Sequence, residues 1–194
     1  MRIRHVCAAV AALALGCDAT TTTTEPLDAT HARFMASGGV VGIAAGGGKA
    51  QLPPGFSLLS LSFNAVGRAD GSATGEFRQR YESSGGTVEF TGRVTCVSFD
   101  PANGRAWIGG VVTSNTSTNP AVLTPIHEVG DDVWFRFVDN GEGEGAAADR
   151  TTVLGFEGAA GVTTSAEYCE RQLWAANDAN TWAVIDGNLQ VMTR

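Results

Sequence analysis

Two acidic stretches hold the residues best suited to chemistry. In the first, Asp139-Asn140-Gly141-Glu142-Gly143-Glu144 is followed by Asp149, so carboxylate and amide oxygens gather beside glycines, the donor set that a hard cation such as Ca²⁺ takes. The spacing departs from the EF-hand pattern, which wants side-chain oxygens at alternate positions where Gly141 and Gly143 stand. The expectation is a plain solvated loop turned by Asn140-Gly141, with a weak calcium site at Asp139, Asn140, Glu142, Glu144 and Asp149 as the alternative. No other cofactor is expected. In the second stretch, His127-Glu128 precedes Asp131-Asp132, a grouping that could hold a metal or an acid-base pair. It is not the zinc-protease motif, because Asp131 stands where the second histidine belongs. A Ser-His-carboxylate triad would have to run through His127, and no Gly-x-Ser-x-Gly elbow supplies its nucleophile.

Other chemistry is weaker still. Gly46-Gly47-Gly48-Lys49 lacks two requirements of a phosphate loop, since Ile43 replaces its first glycine and Ala50 the hydroxyl residue after the lysine. The segment reads as a glycine-rich approach to the first strand. Trp107, Trp134, Trp174 and Trp182 could stack on a sugar or an aromatic ligand, or simply pack in the core. No residue is assigned a catalytic role.

The start of the chain carries the sharpest pattern. Met1-Arg2-Ile3-Arg4 is basic, Val6 to Leu15 is apolar, and Ala14-Leu15-Gly16-Cys17 closes the run, as in a secretory signal. These four residues resemble the lipobox of bacterial lipoproteins. The resemblance implies a signal peptide over 1–16 and lipidation of Cys17 as the mature N-terminus. Ala14 departs from the usual leucine, and the small residues Ala14 and Gly16 also suit ordinary signal peptidase. Removing residues 1–16 takes Arg2 and Arg4 with it, leaving 11 Lys+Arg against 20 Asp+Glu, a net charge of −9. An acidic chain whose only lysine is Lys49 lacks the footprint of a nucleic-acid binder. The apolar run is about ten residues, half of the ~20 that a spanning helix needs, so the expected membrane attachment is by lipid.

Three cysteines then remain, Cys17, Cys96 and Cys169, an odd number for an exported protein. With Cys17 lipidated, Cys96 and Cys169 are expected to pair in an oxidising compartment; the alternative is two buried thiols. Residues 17–39, with Thr20 to Thr24 in a row, read as a flexible tether spanning about 25 Å.

From residue 40 to 194 short alternating runs separated by turn residues predict one all-β domain. Leu59, Leu61, Phe63 and Ala65 alternate with polar residues, and Asp70-Gly71 turns the chain. Ala73, Gly75, Phe77 and Tyr81 face one way while Glu76, Arg78, Arg80 and Glu82 face the other. Val88, Phe90, Val94 and Cys96 share a core face, Asn103-Gly104 makes a hairpin, and Arg105 to Thr113 is apolar on both sides. Val133 to Val138, Thr151 to Phe156 and the runs Thr181 to Ile185 and Leu189 to Met192 flanking Asp186-Gly187-Asn188, which end the chain in a strand with or without a hairpin, complete about eight strands. Thr164 and Glu167 fit a capping box for a short helix over 165–176, or a disulfide-tethered loop. The fold is a single antiparallel β-barrel or β-sandwich, and sequential hairpins favour a barrel.

The segments Phe63-Asn64-Ala65, Gly92-Arg93-Val94-Thr95-Cys96, Ala106-Trp107-Ile108-Gly109-Gly110-Val111-Val112, Val138-Asp139-Asn140-Gly141-Glu142-Gly143 and Gly187-Asn188-Leu189-Gln190-Val191 resemble a recurring pattern in exported proteins of high-GC bacteria. That resemblance implies export and a β fold and brings no activity. The expected function is a lipid-anchored protein of the bacterial cell envelope acting as a non-catalytic binding or structural module. Two alternatives stand beside it. One is an envelope hydrolase or metal-dependent enzyme using carboxylates near His127. The other is a carrier of a small apolar ligand inside a barrel lined by Leu61, Phe63, Phe77 and Phe90.

Overall fold

The computed structural model describes residues 39–194, so the signal over 1–16, Cys17 and all of the tether but Gly39 lie outside the described residues. Eight antiparallel strands follow one another around a ring: β1 (Val40–Ala50), β2 (Leu59–Arg68), β3 (Ala73–Ser83), β4 (Gly86–Asp100), β5 (Arg105–Asn115), β6 (Asp132–Val138), β7 (Arg150–Thr151) and β8 (Trp182–Thr193). Each pairs with the next, and β8 returns to pair with β1 from Thr193 opposite Gly42 to Val184 opposite Ala50, so the ring closes. One helix, α1 (Ser165–Arg171), lies between β7 and β8 in the chain. The first half of its capping box forms, with Thr164 Oγ1 accepting from Glu167 N–H, while the Glu167 carboxylate accepts from Thr163 N–H instead of Thr164 N–H; the helix stops at Gln172 in a left-handed conformation, short of the expected 176.

Alternation fills the ring. Leu59, Leu61, Phe63 and Ala65 of β2 are buried with Phe77 of β3, Phe90 and Val94 of β4, Ile108 of β5 and Phe135 and Phe137 of β6. The ring of Phe63 sits 5.4 Å from that of Phe135 and 4.8 Å from that of Phe137, and Phe77 sits 5.6 Å from Phe135. The waist is therefore packed solid, as eight-strand barrels allow, and each of these phenylalanines contributes roughly 1.5–3 kcal/mol by burial. Glycines permit the tight curvature. A Cβ on Gly92 would lie 2.0 Å from Phe77 Cζ, and one on Gly46 would lie 2.4 Å from the Asn188 carbonyl. The Gly46-Gly47-Gly48 run thus belongs to β1 itself, between β2 and β8, and is not an approach to it.

Two expectations need correction, and a third point, left open between a strand and a hairpin, is decided. Cys96 does not face the core: the register slips between Val94 and Cys96, so Thr95 is an extra residue and Cys96 falls opposite the outward Gly109. Beyond the bulge the phase is reversed, and Val97 and Phe99 join the core. The predicted strand over Thr151 to Phe156 shrinks to Arg150–Thr151, with one isolated bridge from Gly155 to Trp134, because the chain leaves the ladder to turn over the end of the ring. The residues around Gly187 do not break the last strand, which runs through from Trp182 to Thr193.

The outward Cys96 meets Cys169 of α1 in a disulfide that closes a 73-residue separation. That bond, with a second apolar cluster of Trp107, Trp134, Val162 and Tyr168, holds α1 against the outside of β5 and β6. This explains why β5 is apolar on both faces.

Candidate functional site

The two ends of the ring differ. Val40, the Asp70-Gly71 turn, the Pro101–Asn103 turn and the 139–149 loop lie at one end, by the strand register. The 51–58 and 116–131 connections and the β3–β4 hairpin lie at the other, and so does a cavity of about 130 Å³. Its walls are Tyr81, Val88, Phe90, Leu154 and Phe156, with Gln79 and His127 as its polar groups.

Gln79 follows Phe77 on the inward face of β3 and is 3 % exposed. Its Nε2 donates to the Thr152 carbonyl across the ring at 3.4 Å, and its Oε1 is buried with no hydrogen-bond partner among the described residues. A buried acceptor left unpaired costs about 1–3 kcal/mol and asks for a donor. His127 closes the opposite wall. Asn115 Nδ2 donates to the carbonyls of Val122 and His127, pinning both turns of the long connection, and Thr124 Oγ1 lies 2.7 Å from His127 Nδ1. The imidazole packs at a tilt 4.3 Å from the Phe156 ring and 6.1 Å from Phe90. Burial pulls its pKa below the ordinary histidine value, partly opposed by the charge of Asp131. Burial thus favours the neutral ring, and among the described residues Nε2 makes no hydrogen bond. Burial likewise pushes the Tyr81 phenol up.

Exposed apolar side chains gather at the same end. Phe56 and Leu58 follow β1, and Leu123, Ile126 and Val129 are chain neighbours of Val122 and His127. Phe56 meets Tyr81 edge-on at 5.9 Å.

The other candidates have structural partners. Glu128 N–H donates to Asp131 Oδ2, and Asp132 Oδ1 accepts from Ser165 N–H at the start of α1, so the carboxylates of Asp131 and Asp132 serve the backbone. The 139–149 loop mends the seam left by the two-residue β7. Asp149 Oδ2 accepts from Leu189 N–H at 2.8 Å and Asp139 Oδ2 from Val191 N–H at 2.9 Å, in place of a neighbouring strand. Their other oxygens accept from Asn140 N–H and Gly141 N–H. Glu142 accepts from Asn188 Nδ2, Asn140 Nδ2 donates to the Ala148 carbonyl, and Glu144 stands exposed. Among the described residues no group of three or more His, Cys, Asp or Glu is placed to hold a metal. Burial raises the Asp149 pKa, while its two backbone donors pull the other way.

The tryptophans divide. Trp107 is fully buried with Nε1 donating to the Leu173 carbonyl, and Trp134 stacks on Tyr168 at 5.7 Å. Trp174 and Trp182 are half-exposed and share with Trp134 a groove of about 220 Å³. Its rim carries Ala160, Trp174 and Asn180 in left-handed backbone conformations, each with φ of 59°.

No family model, no curated protein and no solved structure matches this chain. Among the described residues no helix is long and apolar enough to cross a membrane.

Proposed function

We propose that this chain is an exported, lipid-anchored protein of the bacterial envelope whose β-domain acts as a non-catalytic binding module. The observation that carries the reading is the end cavity, walled largely by apolar and aromatic side chains and lined by Gln79, whose buried Oε1 has no partner among the described residues. A concave site lined mainly by apolar and aromatic side chains with a few polar groups has the chemical make-up of a ligand pocket. The Cys96–Cys169 disulfide supports export, because such bonds persist in oxidising compartments. Lipidation rests on Ala14-Leu15-Gly16-Cys17. The tether would join the domain at Val40, the end opposite the cavity, so an anchored domain can present its cavity away from the lipid. The carrier reading narrows accordingly, since the packed waist confines any ligand to the ring's end.

The test is metabolic labelling with palmitate in a lipidating bacterial host, followed by membrane fractionation of the wild type and Cys17→Ser. The reading expects label and membrane recovery in the wild type alone. Equal recovery of both, without label, would overturn the anchor.

A further inference from the structure

We infer that the end cavity is a site for one small aromatic ring bearing a hydroxyl or N–H donor, with that donor bonded to Gln79 Oε1. The inference deepens the binding-module reading and rests on it. It stands on three observations. The first is size: about 130 Å³ is close to the 150 Å³ that holds a benzene ring in an engineered apolar cavity. The second is the walls. Phe90, Phe156 and the His127 ring converge with centroids 4.3 to 6.1 Å apart, and such faces and edges pack best against another planar ring.

The third is polarity. The Gln79 side chain lines the cavity, its Nε2 is engaged by the Thr152 carbonyl, and its buried acceptor Oε1 is the atom left unpaired among the described residues. A ring without a donor leaves that oxygen unpaired, whereas a phenol-type hydroxyl satisfies it. His127 is the other polar side chain lining the cavity, and because burial favours its neutral form, the site offers no strong charge to attract an anion. An acidic aromatic in its ionised form is therefore a poor fit. The exposed Phe56, Leu123 and Ile126 beside this end supply an apolar surface for an incoming ring.

The probes are phenol and toluene, which differ only in the donor, titrated into the purified domain-containing chain by ligand-observed NMR. In the wild type, phenol should show intermolecular contacts with Phe90 and Phe156 protons. Gln79→Leu should shift the phenol-to-toluene affinity ratio toward toluene by about tenfold, the effect of one hydrogen bond to a buried acceptor. An unchanged ratio in a folded Gln79→Leu protein would overturn the donor assignment. Absence of contacts from phenol to the wild-type cavity, with solvent alone at Gln79, would overturn the site without recourse to the variant. Neither result touches the palmitate and fractionation readouts, so the anchoring claim fails or stands separately.

Discussion

Arg136 is the side chain whose removal should tell most about how this fold is held. It sits on the outward face of β6, is fully buried, and has no carboxylate within salt-bridge distance among the described residues. Its guanidinium instead donates to backbone carbonyls: Nη1 to Leu173 at 3.3 Å, Trp174 at 2.6 Å and Asn177 at 3.1 Å, and Nη2 to Ala179 at 2.7 Å. The Trp174 ring lies 5.6 Å away, in cation–π range. One cation therefore organises the whole connection from α1 to β8, including Trp174 and Asn180, whose left-handed backbones are strained for non-glycine residues. Arg136→Met keeps the aliphatic volume and deletes the donors. The two shortest bonds, counted as charge-assisted at about 1.5 kcal/mol each, give a loss of about 3 kcal/mol; the longer two add little because the freed carbonyls can turn to water. Urea denaturation measures the loss, and hydrogen exchange should show amides 172–181 unprotected while β2 and β3 remain protected. Arg136→Lys, with a single ammonium, should fall between. A loss under about 1 kcal/mol with the connection still protected would refute the reasoning.

Other perturbations have equally definite outcomes. Replacing Cys96 and Cys169 together with alanine opens a loop of 73 positions and should lower stability by about 4 kcal/mol in urea unfolding, against no change if the bond does not form in the native protein. Asp149→Ala strands the N–H groups of Asn140 and Leu189 and should cost about 2 kcal/mol; because both oxygens already face backbone donors, the wild-type melting temperature should move by less than about 1 °C between EDTA and millimolar calcium. His127 has a depressed pKa, so its neutral form is the one the fold favours. Its contribution to stability is full above the unfolded value of about 6.5 and is lost as pH falls through the lower folded value. Melting curves from pH 8 to 4.5 should show that acid loss in the wild type and a shallower one in His127→Phe.

Much of the ring was readable because one face of most strands is buried and one is wet. The alternation in β2 and β3 and the turns at Asp70-Gly71 and Asn103-Gly104 needed no tertiary information. The Cys96–Cys169 pair followed from counting, and α1 from the spacing of Thr164 and Glu167. What alternation cannot show is a change of phase. The bulge at Thr95 reverses the facing of every later residue in β4, and the close packing beside it, of Gly109 against Cys96 and Ser165, joins positions far apart in the chain. The same limit hid the role of the 139–149 loop, since its carboxylates answer amides of β8 left unpaired by the shortness of β7. Gln79 was missed although a signal existed. It is the one long polar side chain at an inward position between Phe77 and Tyr81, and a polar residue at a core-facing position is itself the mark of a site.

The most direct test of the account is native mass spectrometry of protein extracted from the membranes of a lipidating host, followed by the denatured intact mass of the same sample. The account predicts a chain beginning at an acylated Cys17, lighter by the two hydrogens of one disulfide, which carries a small neutral molecule in the native spectrum and loses it in Gln79→Leu. An unacylated chain would contradict the anchor, and an acylated chain with the same adduct in both proteins, or with none in either, would contradict the cavity as its binding site.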